Sequence, residues 1–176
     1  MPKFPSKVLD GVTYDMTHLD ALAIDVEFEG ETFRTLIHFS CHCFTEKFDA
    51  AAHHADVRYS FAGETRAFCV DRHALSAALP QYFQTLGNQT VYHTQKESFF
   101  FIRTAAADGG SVPYVVFFRS YKSNQDGVDV VINVSSAYPK PGMTSWASPV
   151  KFPRMVMARA KDRVLPLGPA TKIKRA

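Results

Sequence analysis

Between Glu64 and Arg103 the chain reads ETRAFCVDRHALSAALPQYFQTLGNQTVYHTQKESFFFIR, and its apolar positions change period twice. Arg66–Val70 is a short apolar, strand-like run. Leu75, Leu79, Tyr82, Phe83 and Leu86 then recur at helical spacing and form one stripe. This predicts a main helix over 71–86, with Asp71 as its N-cap, the carboxylate accepting a free N–H of the first turn. Pro80 has no N–H to donate, so it predicts either a kink or a second short helix starting there. Gly87-Asn88 ends the helix in the left-handed manner. Strand patterning resumes at Thr90–Thr94 and Ser98–Thr104, joined by the polar turn Gln95-Lys96-Glu97.

Two more strong strands follow, Pro113–Tyr121 (PYVVFFRSY) and Val128–Ser136 (VDVVINVSS). The loop AAADGGS precedes them and the turn Ser123–Gly127 joins them. The C-terminal half therefore reads as a helix followed by a four-strand antiparallel meander. Upstream, Val8–Met16, Leu22–Glu29 and Thr32–Phe44 read as an N-terminal antiparallel meander. Leu22, Ile24, Val26 and Phe28 share one face, and Asp25, Glu27 and Glu29 make the other acidic and solvent-facing. Thr45–Arg58 permits a short helix or a loop, and Tyr59–Phe61 pairs with Arg66–Val70 across Ala62–Thr65. From Pro139 the prolines make the chain irregular, with Arg154–Arg159 (RMVMAR) as one late strand. Both faces of the C-terminal strands are apolar, so the helix covers one and the N-terminal sheet or the tail covers the other. The expected fold is α+β: one long or two separate antiparallel sheets on one main helix, as a single domain over 1–150 with a basic, Pro-containing tail over 151–176. Cys69 and Leu79 are expected in the core and Arg72 on the surface.

Composition narrows the class. At 176 residues and 46% hydrophobic, the chain can bury a substantial core. No stretch approaches the roughly 18 apolar residues of a membrane span, and MPKFPSKVLDGV lacks the apolar segment of a secretory signal. Three cysteines, Cys41, Cys43 and Cys69, are too few and odd in number for a disulfide scaffold. The expectation is a cytoplasmic protein with no membrane partner. The net charge of +3 is uneven: from Lys151 onward eight Lys/Arg face a single acid, Asp162. Such an end serves as an electrostatic foot for nucleic acid or as a solvated tail.

Three constellations could carry chemistry. His38, Cys41, His42 and Cys43, with Cys69, His53, His54 and His73, invite a zinc reading. On an extended strand, however, Cys41 and Cys43 point to one face and His38 and His42 to the other, and no second ligand pair completes a tetrahedral set. No metal or other cofactor is expected, and the cysteines read as core. A Cys/His nucleophile pair is possible on composition, but no spacing selects one. The third set is basic and hydroxylic: His42, Arg58, Arg66, Arg72, His73, His93, Thr94, Arg103, Ser135, Ser136 and Tyr138. RNA cleavage without a metal needs a base for the 2′-OH, an acid for the leaving oxygen and cations for the phosphorane, and these side chains can supply all three.

A helix followed by a four-strand sheet ending in Val130–Pro139, VVINVSSAYP, resembles the Barnase/EndoU/colicin/RelE group of small metal-independent RNases. Many of these end their last core strand with a hydroxyl residue followed by Tyr-Pro, and Ser135 or Ser136 takes that place here. The phrases HFSCHCFT, ETRAFCVDRHALS and VSSAYP are also similar to uncharacterised bacterial proteins described as stationary-phase growth adaptation factors, a likeness covering most of residues 35–140 that implies no activity. The expectation is a metal-independent, toxin-type endoribonuclease, with His42, Arg66, Arg72, His73 and His93 as the cationic and acid/base set. Ser135 and Tyr138 would contact phosphate, and RNA and an antitoxin-like protein would be the partners. The competing expectation is a non-catalytic protein- or nucleic-acid-binding module using the aromatic sheet and the basic tail.

Overall fold

The computed structural model describes residues 3–94, 98–105, 111–165 and 167–175, without the side chains of 101–105, 111, 144, 174 and 175. The Gln95-Lys96-Glu97 turn, residues 106–110 of the loop before the third meander strand, and the Arg103 side chain lie outside that description.

The fold is α+β with mostly antiparallel sheets. Two-residue turns set the N-terminal pairings: strands β1 (Lys7–Leu9) and β2 (Val12–Tyr14) join across Asp10-Gly11, and β3 (Leu22–Phe28) and β4 (Glu31–Phe39) across Glu29-Gly30. Both residues of each turn have positive φ, as in the hairpin turns that match strand twist. The predicted Val8–Met16 strand is thus a separate two-stranded hairpin. The predicted Thr32–Phe44 strand stops at Phe39, where a 3-10 turn (Cys41–Cys43) begins. The ambiguous 45–58 stretch holds a short strand β5 (Thr45–Lys47) and a 3-10 turn (Ala55–Val57). Strands β6 (Arg58–Phe61) and β7 (Glu64–Phe68) form the expected hairpin, and β5 completes a three-stranded sheet in the order β5-β7-β6.

The expected main helix is two helices, α1 (Val70–Ser76) and α2 (Leu79–Thr85), with Pro80 in the first turn of the second. Proline there forfeits only an N–H that no helical carbonyl would accept. Cys69, not Asp71, is the N-cap of α1, and Asp71 is an acid of its first turn. The meander follows as β8 (Thr90–His93), β9 (Ser98–Ala105), β10 (Ser111–Lys122) and β11 (Val130–Pro139). The irregular tail expected beyond it is in large part ordered: β12 (Met143–Lys151), α3 (Phe152–Ala160) and β13 (Thr171–Arg175). The expected strand at Arg154–Arg159 is part of α3, whose Phe152, Pro153, Met155, Val156 and Ala158 are buried.

One eight-stranded sheet, β13-β12-β8-β9-β10-β11-β4-β3, organises the chain. Its two sequence halves meet where β11 runs parallel to β4, Ile132 opposite Ile37. The N-terminal β3–β4 hairpin therefore extends the sheet sideways instead of covering its second face. Leu79, Phe83, Phe152, Met155 and Val156 of α2 and α3 pack on one face with Phe100, Val116, Phe118 and Ile132. By strand alternation, Phe99, Val115 and Phe117 point to the opposite face, where they join Met143 and Ala147 in a smaller cluster. Among the described residues, no helix is long and apolar enough to cross a membrane.

Candidate functional site

The second face of the sheet carries a cleft and, beside it, an aromatic row. The cleft forms where β4 ends. The Ser40 hydroxyl accepts the His42 backbone N–H at 3.2 Å and donates to the Ser135 carbonyl at 2.7 Å, which turns the chain into the 3-10 segment and ties it to β11. Cys41 and Cys43 are driven inward and buried, while His42 turns outward. His42 Nε2 lies 3.0 and 3.2 Å from the two Glu64 carboxylate oxygens. Arg66, two residues along β7, donates from Nη1 to Glu64 at 3.1 Å and from Nε to Thr45 Oγ1 at 2.7 Å. Thr45 Oγ1 donates in turn to the Cys41 carbonyl at 2.7 Å. The resulting cleft, about 310 Å³, is lined by Lys3, His38, Cys41, His42, Glu64 and Asn133 among others. The Lys3 ammonium donates to the Phe39 carbonyl on its wall.

The polar line continues from Thr45 to the aromatic row. Arg72 donates to the Thr45 carbonyl at 2.8 Å, lies 3.8 Å from Glu46, and sets its guanidinium 5.0 Å above the Tyr138 ring. It is pinned across three elements and half-buried, where the sequence placed it on the surface. Tyr138 stacks on Phe117 (5.7 Å between centroids), Phe117 lies 5.8 Å from Phe99, and Phe99 stacks on Tyr92 at 5.5 Å. Lys140 Nζ sits 5.4 Å from the Phe117 centroid. The row crosses β8, β9, β10 and β11, with Tyr92 and Tyr138 half-buried at its ends. Ser135 donates from Oγ to the Phe117 carbonyl at 3.2 Å, beside a register shift at Phe117/Phe118. Arg119 and Tyr121 follow Phe117 at two-residue spacing on the same face, both exposed.

The structure thus brings His42, Arg66, Arg72, Ser135 and Tyr138 into one continuous surface. His73 and His93 belong to other clusters. His73 Nε2 donates to the Asp15 carbonyl at 2.7 Å, and its ring packs against Tyr14, His18 and Phe68. His93 lies with Val91 on the helix-covered side of β8, where its Nδ1 is 2.9 Å from Ser98 Oγ. The sheet itself separates His93 from Tyr138. Arg58 stacks on Phe48 at 4.8 Å.

The strand geometry that argued against a metal does not hold. Cys41 and His42 are consecutive residues of a 3-10 turn, and they meet Glu64 of β7 so that one donor atom from each lies within 4.8 Å of the others. Glu64 was the residue missing from the sequence reading, because no local pattern places β7 beside that turn. Cys69 is only half-buried, whereas Leu79 is fully buried as expected.

Burial shapes the protonation of the site. It pushes the Cys41 thiol up, and the fully enclosed Cys43 up to about 12. The His42 hydrogen bond, with Arg66, holds the Glu64 carboxyl below the usual range. Burial also lowers His18, His38 and His93, with further lowering from His73, Lys3 and Arg159 respectively. In the unfolded chain each returns to about 6.5. As pH falls through that value the unfolded chain takes up protons that the folded chain refuses, so stability drops. We expect urea midpoints to be flat above about pH 7.5 and to fall toward pH 5.5, with a shallower fall in His93→Gln. A midpoint that rose on acidification over this range would contradict the burial of these three rings.

The sequence profile of the YjaZ family matches residues 6–160, so the chain belongs to that family. No curated protein matches the chain at a significant level, and neither does any solved structure.

Proposed function

We propose that this YjaZ-family chain is a binding module for single-stranded nucleic acid, RNA in the first instance. The observation that carries the reading is the row Tyr92–Phe99–Phe117–Tyr138, edged by Arg72 and Lys140 and continued along β10 by Arg119 and Tyr121. Aromatic rings on an open sheet face offer bases a stacking surface, and flanking cations follow the backbone phosphates. Phe99 and Phe117 are buried and act as the rigid base of the platform, while the exposed Tyr121 and the half-buried Tyr138 present ring surface. The exposed Trp146–Lys172 pair of β12 and β13 lies, by strand alternation, on the other side of the sheet and is not part of this row.

Binding fits this arrangement better than cleavage. An endoribonuclease of the expected kind needs an acid and a base on either side of one phosphate. Here His93 lies on the other side of the sheet from Tyr138, His73 is bonded to Asp15, and Arg66 is already paired with Glu64.

Fluorescence anisotropy with labelled single-stranded oligonucleotides tests the reading. Stacking is worth about 1–3 kcal/mol per base, so Tyr138→Ala or Tyr121→Ala should weaken binding by roughly 5- to 150-fold. Arg119→Ala should reduce the slope of log K against log salt by about 0.7. Equal affinity in the wild type and both tyrosine variants would defeat the proposal. RNA shortened in the presence of chelator, and left intact by His42→Ala, would favour the endoribonuclease instead.

A further inference from the structure

The geometry points to a second site that is independent of the nucleic-acid reading: Cys41, His42 and Glu64 bind a zinc-class divalent transition metal at the mouth of the cleft. Three donors of different chemistry, a thiol sulfur, an imidazole nitrogen and a carboxylate oxygen, lie within 4.8 Å of one another. Donors around a tetrahedral zinc ion stand about 3.5 Å apart, given bond lengths of about 2.0–2.3 Å. A contraction of about 1 Å, by rotation of the outward-facing His42 and Glu64 side chains, is enough to close the set. The present His42–Glu64 contact, 3.0 Å at its shortest, already falls within that separation.

The set has the composition of an open site. Three protein ligands leave one position, and it faces the cleft lined by Lys3, His38 and Asn133, where water or a small anionic ligand would complete the coordination. On binding, the Cys41 thiol releases its proton to solvent, and thiolate plus carboxylate balance the charge of a divalent ion. The mixture of sulfur, nitrogen and oxygen suits Zn²⁺ or Co²⁺, whereas Mg²⁺ and Ca²⁺ prefer all-oxygen sites.

The surroundings hold the ligands in place. The His42 backbone N–H is fixed to Ser40, which is itself tied to β11. The Cys41 carbonyl is held by Thr45, and Thr45 and Glu64 are both held by Arg66. Arg66 thus orients the carboxylate from the side, in the manner of the outer partners that position ligands in known metal sites.

Titration of the full-length, chelator-treated protein with Co²⁺ tests the assignment, because a cobalt–thiolate bond gives a charge-transfer band that His and Glu alone cannot produce. One equivalent should bind with that band, and Zn²⁺ should displace it. Cys41→Ser should abolish the band, and Glu64→Gln should weaken Co²⁺ binding at least tenfold. Cys69→Ser should leave both unchanged. Glu64 is exposed, so its variant remains informative should Cys41→Ser fail to fold. Absence of a stoichiometric band in the wild type, or a band that survives Cys41→Ser, overturns the site. Unchanged Co²⁺ affinity in Glu64→Gln overturns the three-ligand assignment.

Discussion

Ending the chain at Lys151 is expected to abolish cooperative folding, even though residues 151–176 read from the sequence as a basic tail. The cut removes α3, and with it Phe152, Met155 and Val156, each at most 1% exposed. Burying such side chains contributes roughly 1.5–3 kcal/mol each, so the three together supply roughly 4.5–9 kcal/mol. A domain of this size has about 5–15 kcal/mol of net stability in all. The loss also uncovers Phe118 and Ile132 on the central strands. Cutting instead after Ala170 removes only β13, an edge strand, and should leave a cooperative transition. Near-UV circular dichroism and urea titration of the two truncated chains decide this. A sigmoidal transition of undiminished steepness from the 1–151 chain would show that α3 is not part of the core.

The helix at 152–160 was visible in the sequence, but not in the window that began at Arg154. Within RMVMAR alone, Met155, Val156 and Met157 look like a short apolar strand. Starting two residues earlier, Phe152, Met155 and Val156 fall at i, i+3 and i+4, and Pro153 sits where a helix accepts proline. Local rules did well where local physics decides the outcome. The alternation of Leu22, Ile24, Val26 and Phe28 sets the buried side of β3, Pro80 sits in the first turn of α2, and Ala62-Gly63 turns the β6–β7 hairpin with both residues at positive φ. They could not supply pairings between distant segments. The parallel junction of β4 with β11 joins residues about 95 positions apart, and it converts an expected covering layer into an extension of the sheet. The candidate metal ligands were hidden for a related reason. Alternation along an extended strand separates Cys41 from His42, but Ser40 caps a 3-10 turn there, and Glu64 at the start of the distant strand β7 meets them. The serine before Cys-His-Cys was the available local signal, since serine at that position favours a turn over a continuing strand.

Leu79 and Arg72 test how the two helices seat the site. Leu79 opens α2 with no exposed surface and belongs to the core cluster that includes Phe39, Phe83 and Phe118. Leu79→Ala removes buried carbon and leaves a cavity at the start of a seven-residue helix too short to hold itself together. The expected loss is about 2–5 kcal/mol, whereas Leu79→Met, nearly equal in volume, should lose under about 1.5 kcal/mol. As a surface residue without a functional role, Arg72 would matter little to stability, under about 0.5 kcal/mol on truncation. Its side chain is 23% exposed and engages the Thr45 carbonyl, Glu46 and the Tyr138 ring, which joins α1 to β5 and β11. Hydrogen bonds from a charged donor and cation–π contacts of this kind place Arg72→Ala at about 1–3 kcal/mol. Lys at this position should recover only part of that, since an ammonium cannot stack flat on Tyr138 while reaching Thr45. Urea midpoints of the four variants at one pH measure all of this. A near-neutral Leu79→Ala would mean that α2 is not seated on the sheet, and a near-neutral Arg72→Ala would leave that guanidinium free for a ligand's phosphate.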